Sequence, residues 1–496
     1  MIHRAVLCLL CFSSLVFAQE SDEIELMVED GLISSEQVED LWFREIDASA
    51  KSNLYIKEEQ LTARAFGSIY SVSGGLYFRQ KYQENIVRSG FVAAGFAGLE
   101  LIAGKVIAES GMGLVIADPG RWRSMSATSP LKKTEKHIRG STSTSTQAES
   151  DSYSLGYQTN WLRGAVIVEA ENLNNICGYV STNLGPARST VTISKRNGGQ
   201  GASIFGSIDS SSFAVQSEIA SFRRDRYAVS YAHSSLFSYS GKKGKLELLT
   251  AVSDPGFQPD IGRVPVVLPQ TGGSGLALRW YYKCNSDINL SSLFANSQSR
   301  YLTDTGYAVA RKTKIQTGIS LKHDNELNTG GIVVVDYNDK SGWQSIAQWL
   351  PRSKETETLQ VRLGSWAQKY WHDYRTKLVV KYIVKENKYY LSDEVTPMES
   401  RLLFNIRVDR QSASGFGVKF EYGHAWGDEL DIVTVSVPSA GQMRSFHWSK
   451  RNDLWLVSFN HKSKSGIISL TFDKSTVVPS KSSEFSTQLY WQKNWK

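Results

Sequence analysis

The densest group of side chains that could do chemistry lies in the stretch HAWGDELD. It contains His424, Asp428, Glu429 and Asp431. Carboxylate oxygens are the ligands that Ca²⁺ prefers, and a carboxylate close to a histidine can support proton transfer. The same composition is typical of a solvated turn between two strands. We favour the turn, and a calcium or acid–base site is the alternative.

Other motifs of catalysis and cofactor binding are missing from the sequence. None of the eight histidines is followed by another at the four-residue spacing of a helical zinc signature, and there is no G-x-S-x-G elbow. The glycine-rich stretch AESGMGLVIADPG lacks the lysine of a phosphate-binding loop. The sequence therefore predicts no catalytic residue, no cofactor and no metal site. A non-enzymatic protein is favoured, although residue spacing cannot reveal a catalytic group assembled at a barrel rim.

The first residues are typical of an export signal. An apolar run follows Arg4, and Val16 and Ala18 fit the small residues of a cleavage site. We therefore predict a signal peptide over residues 1–18 and an exported mature chain.

Residues 19–60 are predicted to form an acidic, helical periplasmic segment or plug. Ile24, Met27 and Val28 recur at helical intervals, and Ser34 with Gln37 matches a capping box. A solvated linker with transient helix explains the same pattern. The whole chain has a net charge of +7, so the remainder is basic. Because the basic residues form no clustered tract, we expect no nucleic-acid partner.

From about residue 61 to residue 496 the sequence alternates between apolar and polar residues. In KLVVKYIVKENKYYL, for example, Leu378, Val380 and Tyr382 alternate with lysines. A period of two indicates strands with two unlike faces. No long apolar helix interrupts them, so we predict an all-β fold, a large antiparallel up-and-down transmembrane β-barrel of roughly 18–26 strands.

The composition of the two faces predicts their orientation. The apolar face is rich in Tyr, Phe, Trp and Leu, and aromatic residues near strand ends are typical of the interfacial girdles of membrane barrels. Candidate girdle residues are Trp161, Tyr227, Trp280, Tyr282, Trp426 and Trp455. The polar face is then predicted to line a lumen, with the candidate residues Lys377, Lys381, Lys385, Arg401, Arg407, Asp409, Lys419 and Glu421. In a packed barrel these charges would instead pair with one another.

Two connections are long. Residues 123–152 are rich in Ser and Thr, which indicates a flexible loop, and residues 254–273 hold four of the eleven prolines. The second loop either folds into the pore as a constriction or packs on the rim, and we favour the rim.

The final segment, EFSTQLYWQKNW, alternates Phe485, Leu489, Trp491 and Trp495 with polar residues. It resembles the amphipathic last strand of bacterial outer-membrane β-barrel proteins, although Lys496 displaces the aromatic residue from the end and Lys493 interrupts the polar–apolar pattern. The acidic head before GKVIAESGMGLVIADPGRW is similar to the short helical preface of some large barrels. The resemblance implies a place in the outer membrane, contact with lipid and lipopolysaccharide, and recognition by the barrel-assembly machinery.

These patterns lead to one functional prediction and one alternative. The favoured function is a passive pore or transport scaffold for small solutes, with anionic solutes preferred because the predicted lumen is basic. The alternative is a secreted, soluble β-rich protein that binds or degrades polysaccharide through its exposed aromatic residues.

Overall fold

The computed structural model describes the chain in separate ranges. They are 50–57, 60–69, 72–81, 87–116, 127, 131, 138–140, 151–224, 228–257, 264, 272–303, 306–323, 326–339, 355–389, 397–412, 414–439, 442–463, 466–477 and 483–495. The predicted signal peptide, the acidic segment up to residue 49 and most of the predicted loop 123–152 lie outside these ranges.

Strands make up nearly all of the described residues. The first fourteen are β1 Ala50–Lys57, β2 Gln60–Ile69, β3 Val72–Lys81, β4 Val87–Phe96, β5 Leu99–Ile107, β6 Arg139–Gly140, β7 Asp151–Gln158, β8 Leu162–Glu169, β9 Ile176–Leu184, β10 Ala187–Arg196, β11 Gly199–Asp209, β12 Phe213–Arg224, β13 Ser230–Ser240 and β14 Gly244–Ser253. The others are β15 Gly272–Lys283, β16 Ile288–Thr303, β17 Gly306–Lys322, β18 Leu327–Asp339, β19 Glu355–Trp371, β20 Tyr374–Tyr389, β21 Glu399–Gln411, β22 Phe416–Gly427, β23 Val433–Ser439, β24 Gln442–His447, β25 Arg451–Ser463, β26 Gly466–Val477 and β27 Ser483–Trp495. A 3-10 helix spans Trp448–Lys450, and within the described ranges no helix is long and apolar enough to cross a membrane.

The strands form one antiparallel ladder that closes on itself. One sheet holds 25 strands, and all of them except the short β6 pair with two neighbours in the order of the ring. The ring closes where β27 pairs with β1, from Ala50 opposite Trp495 to Lys57 opposite Gln488. Closure leaves no sheet edge with unpaired backbone groups, as a strand protein in lipid requires. The predicted all-β, up-and-down barrel is confirmed, and its strand number falls in the predicted range.

The barrel begins earlier than the sequence patterns predicted. The boundary after residue 60 is wrong, because Ala50–Lys57 is a full strand of the ring and pairs with both β2 and β27. This strand has only eight residues and directly follows the acidic segment. Its alternation is too short to be distinguished from the helical pattern that precedes it.

The two ends of the barrel carry connections of different length. At the end that holds Ala50 and Trp495, every connection between ring strands is two to four residues long. At the opposite end lie the long connections, 108–150, 254–271, 340–354 and 428–450. Outer-membrane barrels have the same asymmetry, with short periplasmic turns at one end and longer extracellular loops at the other.

Tight turns at both ends depend on backbone conformations with positive φ. Ala97 and Gly98 join β4 to β5 with φ of 50° and 83°, and Asn197 and Gly198 join β10 to β11 with φ of 46° and 77°. Two successive positive φ angles give the two-residue hairpin turn whose twist matches that of the flanking strands. A Cβ at Gly98 would lie 2.6 Å from the carbonyl oxygen of Gln158, so this position also needs glycine for space.

The faces of the ring have the reverse of the polarity found in water-soluble proteins. On β11, Ile204 and Ile208 are exposed, while Ser203 and Ser207, which directly precede them, are buried. The same pattern places Tyr153, Leu155 and many other large apolar side chains on the exposed face. Such a face is stable against lipid and not against water. We call the face with the buried side chains the inner face and the other the outer face.

Aromatic residues stand on the outer face near both ends of the strands. Trp161, Trp280 and Trp371 lie toward the short-turn end, while Trp426 and Trp455 lie toward the long-connection end, and all five are exposed. The rings of Trp280 and Tyr282 stack at 5.8 Å between centroids. This arrangement agrees with the interfacial girdles predicted from the sequence, of which only Tyr227 lies outside the described ranges.

Candidate functional site

The candidate site is the inner face together with the segments that fold onto it. The first of these segments, residues 108–116, leaves β5 at the long-connection end and packs inside the ring. All nine of its residues are buried. Its turn is held by hydrogen bonds from the amide of Gly113 to the carbonyl of Ser110 and from the amide of Ser110 to the carbonyl of Ile116, at 2.9 and 3.2 Å.

One wall carboxylate holds this segment in place. Oε2 of Glu218 on β12 accepts the amides of Met112 and Leu114 at 2.7 and 3.3 Å, and Oε1 accepts the hydroxyl of Ser203 at 2.6 Å. Hydrogen bonds to a carboxylate that is fully removed from water are strong, and they compensate for its desolvation. Gly111, with φ of 56°, allows the close approach, because a Cβ there would lie 2.9 Å from Oε2 of Glu218.

A second wall carboxylate holds the continuation of the same connection. Oε2 of Glu247 on β14 accepts the amide of Leu131 at 2.8 Å and also the Nη1 of Arg279 at 3.0 Å. Nε of Arg279 donates to the carbonyl of Ala127 at 2.9 Å, and Lys245 lies 2.9 Å from the other oxygen of Glu247. The connection between β5 and β7 is therefore bound to the wall at several points.

Apolar packing reinforces these polar contacts. Leu114, Val115 and Ile116 pack with wall residues such as Phe222, and Met112 packs with Phe205 in a neighbouring cluster. The proline-rich connection contributes to the first cluster through Phe257 and Val264, which are buried there. These two residues lie in the same buried cluster as the inserted segment, so at least part of the 254–273 connection lies inside the ring and not on the rim, the position favoured from its sequence.

The second inserted segment is the connection between β22 and β25. It contains the hairpin β23–β24 and the 3-10 helix, and it buries Ile432, Phe446 and Trp448 against inner-face residues of β20–β22 and β25. The ring of Trp448 is fully buried and lies against Gly423, where a Cβ would come within 2.5 Å of the ring. Its Nε1 donates to Thr434 at 2.9 Å.

Arg401 fastens both ends of this hairpin connection to the wall. Its Nη1 donates to the carbonyl of Asp428, where the connection leaves β22, and its Nη2 donates to the carbonyl of Arg451, where β25 begins, at 2.8 Å. Lys381 on β20 adds a third attachment, because its Nζ donates to the carbonyl of Val433 at 3.0 Å.

The acidic cluster HAWGDELD belongs to this attachment. Asp428 accepts the amide of Ser400 at 2.6 Å, Asp431 binds His447 at 2.7 Å, and His424 binds Asp453 at 2.5 Å. His424 and Asp431 thus have different partners. No group of three or more His, Cys, Asp or Glu in the described ranges could hold a metal ion. The cluster thus forms the ordered start of the connection between β22 and β25, where its carboxylates bind backbone amides and histidines.

The structure places all eight predicted lumen residues on the inner face, in two groups. Arg401, Arg407, Lys419 and Glu421 are buried, and Lys377, Lys381, Lys385 and Asp409 are half-buried.

Cross-strand pairing brings several of these charges together. Arg407 and Glu421 are opposite each other on β21 and β22, with Nε and Oε2 3.3 Å apart, and Asn405 donates to the same carboxylate at 3.0 Å. Asp409 lies 3.2 Å from Arg375 and 4.0 Å from Lys419. The acids of this wall are thus neutralised locally.

The neighbouring wall, β17–β20, differs in both burial and charge. Most of its inner-face side chains are half-exposed. The basic residues of this face are Lys312, Lys314, Lys322, Arg362, Arg375, Lys377, Lys381 and Lys385. In the described part of these four strands the face carries one acid, Asp336, which binds Arg362 at 2.7 Å. We call this surface the basic sector.

The anchoring residues Glu218, Glu247, Arg279 and Trp448 were not identified from the sequence. Glu218 and Glu247 are the only acids at the inner-face positions of FAVQSEIASF and GKLELLTAVS, where most of the other residues are small or apolar. An isolated acid at such a position was an available signal, since a buried charge needs a partner. The partner itself could not be inferred, because Met112 is 106 residues from Glu218.

Comparison with known proteins gives similarity at the level of structure only. No protein-family profile matches the chain, and no curated protein sequence matches it. The copper transporter OprC is 9% identical, with a TM-score of 0.48 and coverage of 91% of this chain and 81% of that one. The FrpB iron transporter from Neisseria meningitidis is 7% identical, with a TM-score of 0.46 and coverage of 93% and 83%. The translocation pore of the P pilus usher PapC is 9% identical, with a TM-score of 0.44 and coverage of 90% and 99%.

The assignment of the chain rests on its own geometry. The ladder is closed, the outer face is apolar, the inner face is polar, and the connections are short at one end and long at the other. These are the features of strand proteins that span a bilayer. The chain is a large β-barrel protein of the bacterial outer membrane.

Proposed function

We propose that the protein is a passive pore for small anionic solutes, with the basic sector as one side of the path. The observation that carries this proposal is the composition of the inner face of β17–β20, where eight basic side chains face a single acid. Rings or walls of Lys and Arg favour anions in pores because they lower the electrostatic energy of an anion along the path.

Burial supports the same path. Where residues 108–116 pack on the wall, inner-face side chains are excluded from solvent, whereas those of the basic sector retain access. Arg375, Lys377 and Lys385 therefore face solvent-accessible space inside the ring, and a solute moving there would meet them. In this proposal Lys377 and Lys385 act on the solute. Lys381, Arg401, Arg407, Lys419, Glu421 and Asp409 keep the wall and the hairpin in place.

The alternative of a soluble polysaccharide-binding protein is not favoured by the outer face. Its exposed side chains include Phe96, Leu184 and Ile204 in a surface that runs around the ring. An apolar belt of this extent would aggregate in water. Recognition of the last strand by the assembly machinery remains a prediction, and exposed Phe485, Leu489 and Trp491 on β27 are compatible with it.

Single-channel recording in planar bilayers tests the proposal. The purified protein should give discrete conductance steps, and a salt gradient should give a reversal potential of the sign expected for anion preference. The triple variant Lys314→Gln, Lys377→Gln, Lys385→Gln should lose that preference. Lys388→Gln is the matched control, because Lys388 alternates with Asn387 on β20 and lies on the outer face.

Two results would overturn the proposal. Absence of conductance above that of the bare bilayer would show that the barrel is not a pore. Conductance with cation preference, or anion preference unchanged in the triple variant, would show that the basic sector does not line the path.

A further inference from the structure

A groove on the outer face, away from the inner-face site, has the features of a ligand site. A cavity of about 570 Å³ lies over β8–β12. Its lining includes Val166, Ile176, Ile193 and Val229, which are exposed apolar residues, and also Lys195 and Arg223. The outer face meets lipid, so whatever occupies this groove reaches it from the bilayer.

Strand register shows how the groove is formed. One row across the sheet contains Gly178, Ile193, Ala202 and Ser221, paired in succession on β9–β12. Three of these four side chains are small, so the row forms a depression in the outer surface.

The next row toward the short-turn end raises the surface again. It consists of Val180, Val191, Ile204 and Ile219, all large and all exposed. The depression therefore has an apolar floor and an apolar lower border.

The upper border of the depression is polar and basic. There the register aligns Ile176, Lys195, Gln200 and Arg223. Lys195 and Arg223 lie on strands separated by β11, which places their backbones about 10 Å apart.

The two cations are available to an external anion. Within the described ranges neither side chain makes an ion pair or hydrogen bond, whereas the neighbouring Arg196 binds Glu169 on the inner face. Two cations above an apolar depression are complementary to a lipid with an anionic headgroup.

The position of the groove along the strands indicates which leaflet of the membrane it faces. Lys195 precedes the turn from β10 to β11 at the long-connection end, which in outer-membrane barrels is the extracellular end. Two separated cations suit a headgroup with more than one phosphate better than a headgroup with a single phosphate.

We propose that this groove binds the phosphorylated glycolipid of the outer leaflet, the lipid portion of lipopolysaccharide. Its phosphates contact Lys195 and Arg223, and an acyl chain lies in the depression over Gly178 and Ala202 and continues across Val191 and Ile204. The site is independent of the proposed pore, because its residues are on the opposite face of the sheet.

Native mass spectrometry of the folded barrel tests this proposal. The protein is refolded without lipid, mixed in detergent with bis-phosphorylated lipid A, phosphatidylglycerol or phosphatidylcholine, and examined for bound lipid. We expect one retained lipid A molecule per chain, weaker retention of phosphatidylglycerol, and none of phosphatidylcholine.

Four variants separate the site from general lipid contact. Lys195→Gln with Arg223→Gln should weaken lipid A binding roughly tenfold or more, as expected for the loss of charge-assisted contacts. Ala202→Phe should also weaken it, because the ring fills the depression. Lys474→Gln is the charge control, since Lys474 lies on the outer face of β26 toward the same end, with its Nζ 5.2 Å from the ring centroid of Phe485. Ala367→Phe is the matched control for added volume on the outer face of β19.

Heat-modifiable gel migration confirms that each variant is folded before its binding is measured. The proposal fails if the Lys195/Arg223 and Ala202 variants retain lipid A as the wild type does. It also fails if Lys474→Gln loses the lipid to the same extent, or if phosphatidylglycerol is held as tightly as lipid A.

Discussion

Two parts of the barrel wall, β10–β16 and β17–β20, are built from the same antiparallel ladder and differ in what covers their inner faces. Along β11 and β12 burial alternates residue by residue, because residues 108–116 pack on that wall. Along β18 almost every residue is half-exposed, and among its inner-face residues only Val334 is buried. Strand geometry alone therefore does not determine burial inside this ring.

The covered and uncovered walls also differ in the side chains they present. The covered wall has small residues such as Ser203 and Ala220, with Glu218 and Glu247 where an amide of the inserted connection must be bound. The uncovered wall has long basic side chains. Small residues make room for a packed segment, while long charged residues need water or a solute around their ends. The difference indicates that one side of the ring is filled and the other is left open, and the open side is the path that the proposed pore would use.

The largest effect is expected from removal of the connection that covers the inner face of β10–β16. Replacing residues 111–138 with a short Gly-Ser linker should raise single-channel conductance several-fold, because the wall of β10–β16 becomes accessible. Partial deletion of the connection 340–354, which lies at the same end of the barrel, serves as the control. This connection is too short for a deletion of equal length. Unchanged conductance after the first deletion would show that the inserted segment does not restrict the path.

A second change tests the hairpin that borders the basic sector. Trp448→Ala removes a fully buried ring and its hydrogen bond to Thr434, and it should destabilise hairpin docking by about 3–5 kcal/mol. Limited proteolysis should then cut within residues 428–450 while the strands stay protected. Trp371→Ala, at an exposed outer-face position, should leave the hairpin protected. Resistance of Trp448→Ala equal to that of the wild type would contradict the packing described.

A smaller effect is expected at the carboxylate that holds residues 108–116. Glu218→Gln keeps the shape of the side chain but weakens the bonds from Met112 and Leu114, at a cost of about 2 kcal/mol. Hydrogen exchange of these two amides should accelerate, while exchange in β12 changes little. Glu171→Gln, an exposed acid between β8 and β9, serves as the control. Equal protection of both amides in wild type and Glu218→Gln would mean that packing alone holds the segment.

The smallest effect concerns the single acid of the basic sector. Asp336→Asn removes the partner of Arg362 in a half-buried pair, which should cost about 1 kcal/mol or less. Anion preference should rise slightly, because the sector gains one net positive charge. Combining Asp336→Asn with Arg362→Gln should return the reversal potential to near its original value. An unchanged reversal potential in the single variant would place Asp336 outside the conducting path.

Sequence patterns were most informative where the local rule is simple. The alternation in KLVVKYIVKENKYYL and in RLLFNIRVD assigned residues such as Tyr382 and Leu402 to the outer face and Arg401 and Arg407 to the inner face, as the structure has them. The same rule was too weak for β1, where a short strand follows an acidic segment.

Local patterns were enough to predict the strand class and the division of residues between two faces, because each depends on neighbours within a few positions along the chain. The basic excess follows from composition alone. Which connections fold inside, by contrast, depends on contacts between residues far apart in the chain. Glu218 and Met112, or Arg401 and Arg451, meet across 106 and 50 residues. Closure of the ring brings such residues together, and no local sequence pattern predicts a contact between residues so far apart in the chain. Consequently, the sequence could predict a polar inner face but could not predict which part of it is filled and which part is open.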